Sequence, residues 1–253
     1  MDQAIRDQVA QIKNFIFIGE AGSGKSEIAI NFAKELTDDR SKEVHFFDMD
    51  MTKPLFRARD AVKEMEGVGI SVHFETQFED APTQVGGVDH HLKNGESYVV
   101  MDVGGDDIGA RLIGGYAGWL NRDNTAVFYI LNAFRPWSDT IEHIDHTLGK
   151  ILGASRIRLD RLMMVSNPNL GPGTTAEDFI EGSRRMEEIL SPYAAIAFAC
   201  AREDLMDDIR RLRGGRDAAE NKAGADQSGA AGQHKEVPIL PIHLYLTYEW
   251  AEA

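Results

Sequence analysis

Residues 19–26 read Gly-Glu-Ala-Gly-Ser-Gly-Lys-Ser, which is G-x-x-x-x-G-K-S. This spacing is a phosphate-binding loop. Gly19, Gly22 and Gly24 let the backbone wrap an oxyanion, with Glu20, Ala21 and Ser23 completing the turn. The first N–H groups of a following helix then point at the anion's oxygens. Lys25 is placed to reach β- and γ-phosphates, and Ser26 to put its hydroxyl on Mg²⁺. Glu27 closes the nucleotide-binding stretch. The flanks agree with this reading. The apolar run Asn14–Ile18 precedes the loop, and Ile28, Phe32 and Leu36 follow at helical spacing.

Two further segments carry carboxylates where such chemistry needs them. Phe46-Phe-Asp-Met-Asp50 ends an apolar strand with aspartates at i and i+2. Ligands of open α/β sheets bind outside the carboxyl ends of strands. Of Asp48 and Asp50, one carboxylate is expected to hold Mg²⁺ through water, and the other to orient the water that attacks the γ-phosphate. Tyr98-Val-Val-Met-Asp102 ends another apolar strand, followed by Val103-Gly-Gly-Asp-Asp107. Asp102 is the expected direct Mg²⁺ carboxylate. Gly104 and Gly105 would let the backbone approach the γ-phosphate and move after hydrolysis. Asp106 is read as the cap of the next helix. Phosphoryl transfer needs mainly positioning and charge neutralisation, which these residues supply.

The elements that must hold these residues follow from periodicity. Strands are predicted at Asn14–Ile18, Val44–Asp48, Gly69–His73, Ser97–Asp102, Ala126–Leu131, Arg161–Ser166 and Ala194–Ala199. Helices are predicted to start near Gly24, Phe56, Thr83, Asp107, Ser138, Thr175 and Arg202. Strand-then-helix order implies a three-layer α/β fold with a mainly parallel, twisted sheet. The chain of 253 residues reads as one phosphate-loop domain. Residues 214–236 are rich in Gly and Ala and read as a flexible surface loop. The apolar tail after Val237 is expected to dock back on the domain.

Composition narrows the class. A net charge of -14 argues against nucleic acid and anionic membranes as partners, since both select basic surfaces. The single cysteine, Cys200, lies in an apolar run and reads as core. With no signal peptide and no long apolar span, a cytoplasmic location is expected.

The order of motifs resembles the MinD, ParA and nitrogenase-iron-protein group of P-loop NTPases (the SIMIBI class), which includes CobQ/CobB-type domains. The likeness spans residues 14–201. The run Asp102–Ala110, with Asn132–Pro136 and Asn167–Gly171, is similar to a MinD-like ATPase branch. The resemblance implies switch I aspartates at Asp48 and Asp50, and switch II at Asp102, Gly104 and Gly105. It also implies purine contacts at Asn167 and Pro168. One position departs: many members carry a lysine after the first loop glycine, reaching across a dimer, and here it is Glu20. Arg57, Arg59 and Arg135 are the alternative cations.

The function expected is an ATPase using Mg²⁺ and ATP, acting as a nucleotide-dependent switch on a client protein, with a possible ATP-dependent homodimer. Two other readings stay open. One is a ligase or small-molecule kinase of the dethiobiotin-synthetase type, with Thr52, Lys53, Arg57 and Arg59 lining its pocket. The other is a non-hydrolysing nucleotide sensor. His143 and His146 share a helix face and read as solvated, and His90 and His91 read as a helix end suited to imidazolium.

Overall fold

The computed structural model describes residues 1–50, 59–73, 87–105, 107–223 and 236–246. Seven strands match the predicted runs: β1 (Asn14–Gly19), β2 (Val44–Met49), β3 (Ile70–His73), β4 (Tyr98–Val103), β5 (Thr125–Leu131), β6 (Leu162–Ser166) and β7 (Ile196–Arg202). An eighth, β8 (Ile239–Ile242), is where the apolar tail returns to the domain. The sheet order is β3-β2-β4-β1-β5-β6-β7-β8, and every pairing is parallel. Pro241 is tolerated in β8 because an edge strand has one side free of ladder bonds.

The helices are α1 (Gln3–Val9), α2 (Lys25–Leu36), α3 (Arg59–Gly67), α4 (Val88–Asn94), α5 (Asp107–Gly114), α6 (Ala117–Leu120), α7 (Ile141–Ser155), α8 (Ala176–Leu190) and α9 (Met206–Ala223). They cover both sheet faces, so β1, β2 and β5 are buried along their whole length. Side chains alternate between two cores. Phe15 and Phe17 of β1 face α2, while Ile16 and Ile18 face the side of α5 and α7. No described helix is long and apolar enough to cross a membrane.

The last helix differs from expectation. Helix α9 runs through Gly214 to Ala223, so the flexible loop drawn from residue 214 does not begin there. Two glycines cost a helix about 1 kcal/mol each relative to alanine. The first turns of α9 offset this by burying Ile209 against Phe179 and Ile239. Residues 224–235 lie outside the described residues. So do the helix starts read at Phe56 and Thr83, and the cap at Asp106. Cys200 is buried, and burial pushes its thiol pKa up.

Helix α2 is the element that the site depends on, and it is held twice. Its sheet-facing Phe32 packs among Phe15, Phe17, Phe128 and Phe198, with ring centroids 4.9–6.4 Å away. Its other polar face grips the segment after β8. The Asn31 amide accepts from the His243 N–H and donates to the His243 carbonyl, each at 2.8 Å. Glu27 accepts from the N–H groups of Tyr245 and Leu246, and the Lys34 ammonium donates to the Tyr245 hydroxyl. These three residues are spaced four and three apart, which aligns them on one side of a helix. Asn31→Ala leaves the His243 N–H and carbonyl without partners, which costs roughly 1–3 kcal/mol. We expect thermal unfolding followed by circular dichroism to show a midpoint several degrees lower. An unchanged midpoint would mean that the clasp contributes nothing to stability.

Candidate phosphate and metal site

The register of the sheet brings the acidic residues together. Asp48 on β2 is the direct neighbour of Asp102 on β4, and Asp102 is in turn level with Phe17 on β1. In parallel strands, residues level with each other share a face. Phe17 faces α2, so both carboxylates emerge on that side, beneath the helix that opens with Lys25 and Ser26. Both are buried, Asp48 at 5% and Asp102 at 1% exposure. The Asp50 N–H donates to Asp48 Oδ1 at 3.0 Å, which fixes that carboxylate at the strand end.

The loop itself is built from contacts that only glycine permits. Gly24 caps α2 with φ +94°, and a Cβ there would overlap the Asn167 amide nitrogen. That nitrogen donates to the Ser23 carbonyl at 2.7 Å. On the other side, a Cβ at Gly105 would lie 2.6 Å from the Ala21 nitrogen and 2.8 Å from Lys25 Nζ. The turn after β4 is therefore packed directly against the loop. Gly104 is buried beside it, touching Gly109 of α5. The Lys25 ammonium donates to the Glu20 carbonyl at 2.9 Å, spanning the loop.

Two buried polar atoms beside the loop, Ser23 Oγ and Asn167 Oδ1, have no hydrogen-bond partner among the described residues. Orphaned buried oxygens are rare in folded proteins, and an ordered water or an ion is among the partners that satisfy them. For Asp102 the fit to Mg²⁺ is direct. The cation prefers hard oxygen donors, and the carboxylate, its neighbour Asp48 and the Ser26 hydroxyl are such donors.

The structure places the other sequence-identified residues as follows. The Glu27 carboxylate turns to the tail, where it accepts from the Tyr245 and Leu246 N–H groups. Burial pushes its pKa up, and the Tyr245 and Leu246 N–H groups oppose that. Asn167 is next to the loop but braces Ser23, so its donor group is already used; Pro168 packs close to Gly182 of α8. Glu20 is half-buried, and its charge adds to the burial that raises the Tyr129 pKa. Arg135 lies at the mouth of the loop, where its Nε donates to the Gly22 carbonyl at 3.1 Å. Thr52, Lys53 and Arg57 lie outside the described residues, and Arg59 opens α3. His143 is exposed and paired with Asp139 at 2.6 Å, which raises its pKa, and His146 is exposed. For His91, burial and then the charge of His90 hold the pKa below the usual value, which works against the imidazolium expected at a helix end.

Sequence reasoning missed the brace from Asn132, whose Nδ2 donates to the Asn169 carbonyl at 2.8 Å and ties the turns after β5 and β6 together. The signal available was an Asn at the end of each strand, at Asn132 and Asn167. It also missed the clasp of α2 on the tail, for which no local pattern exists.

Asp102 is the most perturbed carboxyl of the site. Burial, and then the neighbouring charge of Asp48, push its pKa up to about 7, against the pull of Ser26 and Lys25. The raised value means that the folded chain keeps a proton that the unfolded chain has lost. Stability therefore falls as pH rises from about 4 to about 7, and the penalty is complete above that range. Asp102→Asn removes it. In metal-free buffer, we expect the variant's urea-unfolding free energy to exceed the parent's, by a gap that widens from pH 5 to pH 8 and reaches a few kcal/mol at most, roughly 1.4 per pKa unit. A gap that does not change with pH would show that Asp102 ionises as an ordinary surface carboxyl.

Comparison with known proteins gives structural likeness alone. No family model matches the chain, and no curated protein matches it. Among solved structures it is similar to a nucleotide-binding protein from Archaeoglobus fulgidus in complex with ADP. That match has TM-score 0.47 and 14% identity and covers 82% of this chain and 89% of that one. It is also similar to a ParA family ATPase from Chlorobium tepidum TLS, with TM-score 0.47 and 16% identity, covering 85% and 94% of the two chains.

Proposed function

We propose that the chain is a Mg²⁺-dependent ATPase of the MinD/ParA-like type, whose nucleotide state is read by a partner protein. The observation that carries this reading is the contact of Gly105 with the loop. The turn that follows the metal carboxylate lies against the Ala21 nitrogen and the Lys25 ammonium. A γ-phosphate reaching Lys25 must meet that turn, so its presence or loss moves a backbone that leads straight into α5.

The roles follow from position. The loop N–H groups and the N-terminus of α2 bind the phosphates. Lys25 neutralises charge developing on the γ-phosphate oxygens. Ser26 and Asp102 would hold Mg²⁺, with Asp48 beside them. The chemistry that Mg²⁺ would supply there is positive charge against the phosphate oxygens. Asp50, half-buried at the end of the buried strand, orients the attacking water. Arg135 stands in for the lysine that Glu20 replaces, being the cation held at the loop's mouth. Asn167 Oδ1 is an acceptor and so matches the exocyclic amino group of adenine, which favours ATP over GTP.

Phosphate release with MgATP and equilibrium ADP binding test this directly. Lys25→Ala should cut turnover at least about 100-fold, the scale of losing one transition-state donor. Full turnover in that variant would overturn the reading. The switch has its own readout in light-scattering mass. A dimer with a non-hydrolysable ATP analogue and Mg²⁺, but not with ADP, is the expected result. A mass that ignores nucleotide would leave an ATPase without that dimer switch.

A further inference from the structure

Three histidines far apart in sequence meet on the opposite face of the sheet from Asp48 and Asp102. His45 lies on β2, and His73 is the last residue of β3. In register, His45 is level with Ser71, and Phe47 with His73, so both imidazoles share one face. His91 reaches them from α4, whose Val88 and Leu92 pack on the same side as Phe47. One ring nitrogen from each of the three lies within 4.8 Å of the others. His45 Nδ1 is 3.0 Å from His73 Nε2, and the His45 and His91 ring centroids are 3.8 Å apart. His91 Nδ1 is buried and has no hydrogen-bond partner among the described residues.

We propose that His45, His73 and His91 form a binding site for one divalent first-row transition metal of the Zn²⁺ class. Nitrogens bound tetrahedrally at 2.0–2.1 Å from zinc stand about 3.3–3.4 Å apart, so the His45–His73 pair is already near that spacing. The third ring, only partly buried, closes the remaining distance by side-chain rotation. Imidazole sets select zinc, cobalt, nickel or copper, whereas Mg²⁺ and Ca²⁺ take oxygen. The surroundings fix the rings. Phe47 stacks on His73 with centroids 4.4 Å apart and planes 13° from parallel. His45 turns Nδ1 to His73, and its other nitrogen, Nε2, lies 3.5 Å from the Glu43 carboxylate. Metal on Nδ1 with Nε2–H facing a carboxylate is the arrangement that orients metal-bound histidines. All three ligands stand on strands or a helix, and the partial exposure of His73 and His91 leaves the fourth position to water.

The site is independent of the nucleotide reading, and its test uses metal alone. The full chain, loaded with Co²⁺ and passed through gel filtration, should retain one equivalent by elemental analysis. It should also show the intense visible absorption of tetrahedral cobalt. His91→Gln and the double variant His73→Gln/His91→Gln should lose that absorption and weaken Zn²⁺ binding at least 100-fold by calorimetry. Asp102→Asn should retain both, which separates this site from the carboxylate pair. Far-UV spectra of the metal-free variants identify any that fail to fold, and His91→Gln, on a half-buried ring, is the variant that decides. No retained Co²⁺ or Zn²⁺ in the parent, or undiminished binding in folded His91→Gln, overturns the proposal.

Discussion

Two like charges held side by side out of water are the constraint around which this domain is arranged. Asp48 and Asp102 are level with each other on parallel neighbouring strands, both buried. Left alone, such a pair resists ionisation, and the high pKa of Asp102 records that resistance. The nearby elements supply what the pair lacks: the Lys25 ammonium, the Ser26 hydroxyl and the positive end of α2. A divalent cation would complete the compensation, as the proposed function requires.

Positioning falls to α2, and every one of its attachments is specific. Phe32 sets its depth on the sheet through an aromatic cluster. Asn167 fixes its first turn by holding the Ser23 carbonyl. Gly105 closes the loop from the side of β4. Because the loop is gripped from the ends of β4 and β6, a shift of the turn after β4 is felt in the loop, and the reverse. The geometry is therefore suited to reporting a bound state as well as to chemistry.

The layered fold, and the strand ends that gather the candidate site residues, were legible in sequence for a physical reason. A parallel sheet covered on both faces demands continuous apolar strands, and Phe15–Ile18, Phe46–Phe47 and Val99–Met101 show them without ambiguity. The phosphate loop, Asp48, Asp102 and Gly105 are marked by their place at strand ends. What stayed hidden is non-local. Glu27 has the sequence position of a loop-helix residue, yet its carboxylate serves backbone more than 200 residues away. β8 carries Pro241, which masks strand propensity, and only its edge position makes it admissible. Helix α9 continues through Gly214 because burial at its start outweighs local preference. His45, His73 and His91 have no shared motif at all, since sheet register and a helix from elsewhere bring them together.

The clasp of α2 on the tail has a consequence for the order in which the molecule can be completed. Residues 27–34 make their bonds with residues 243–246, so this helix waits for a segment made more than 200 residues later. Contacts of such separation carry a loop-closure cost before they return anything, and they slow folding. The phosphate loop therefore gains its full support only after nearly all of the sheet is in place. An incompletely synthesised or clipped chain would carry the whole phosphate-loop motif on a helix that is not yet fastened. The support of the loop is thereby tied to residues 243–246.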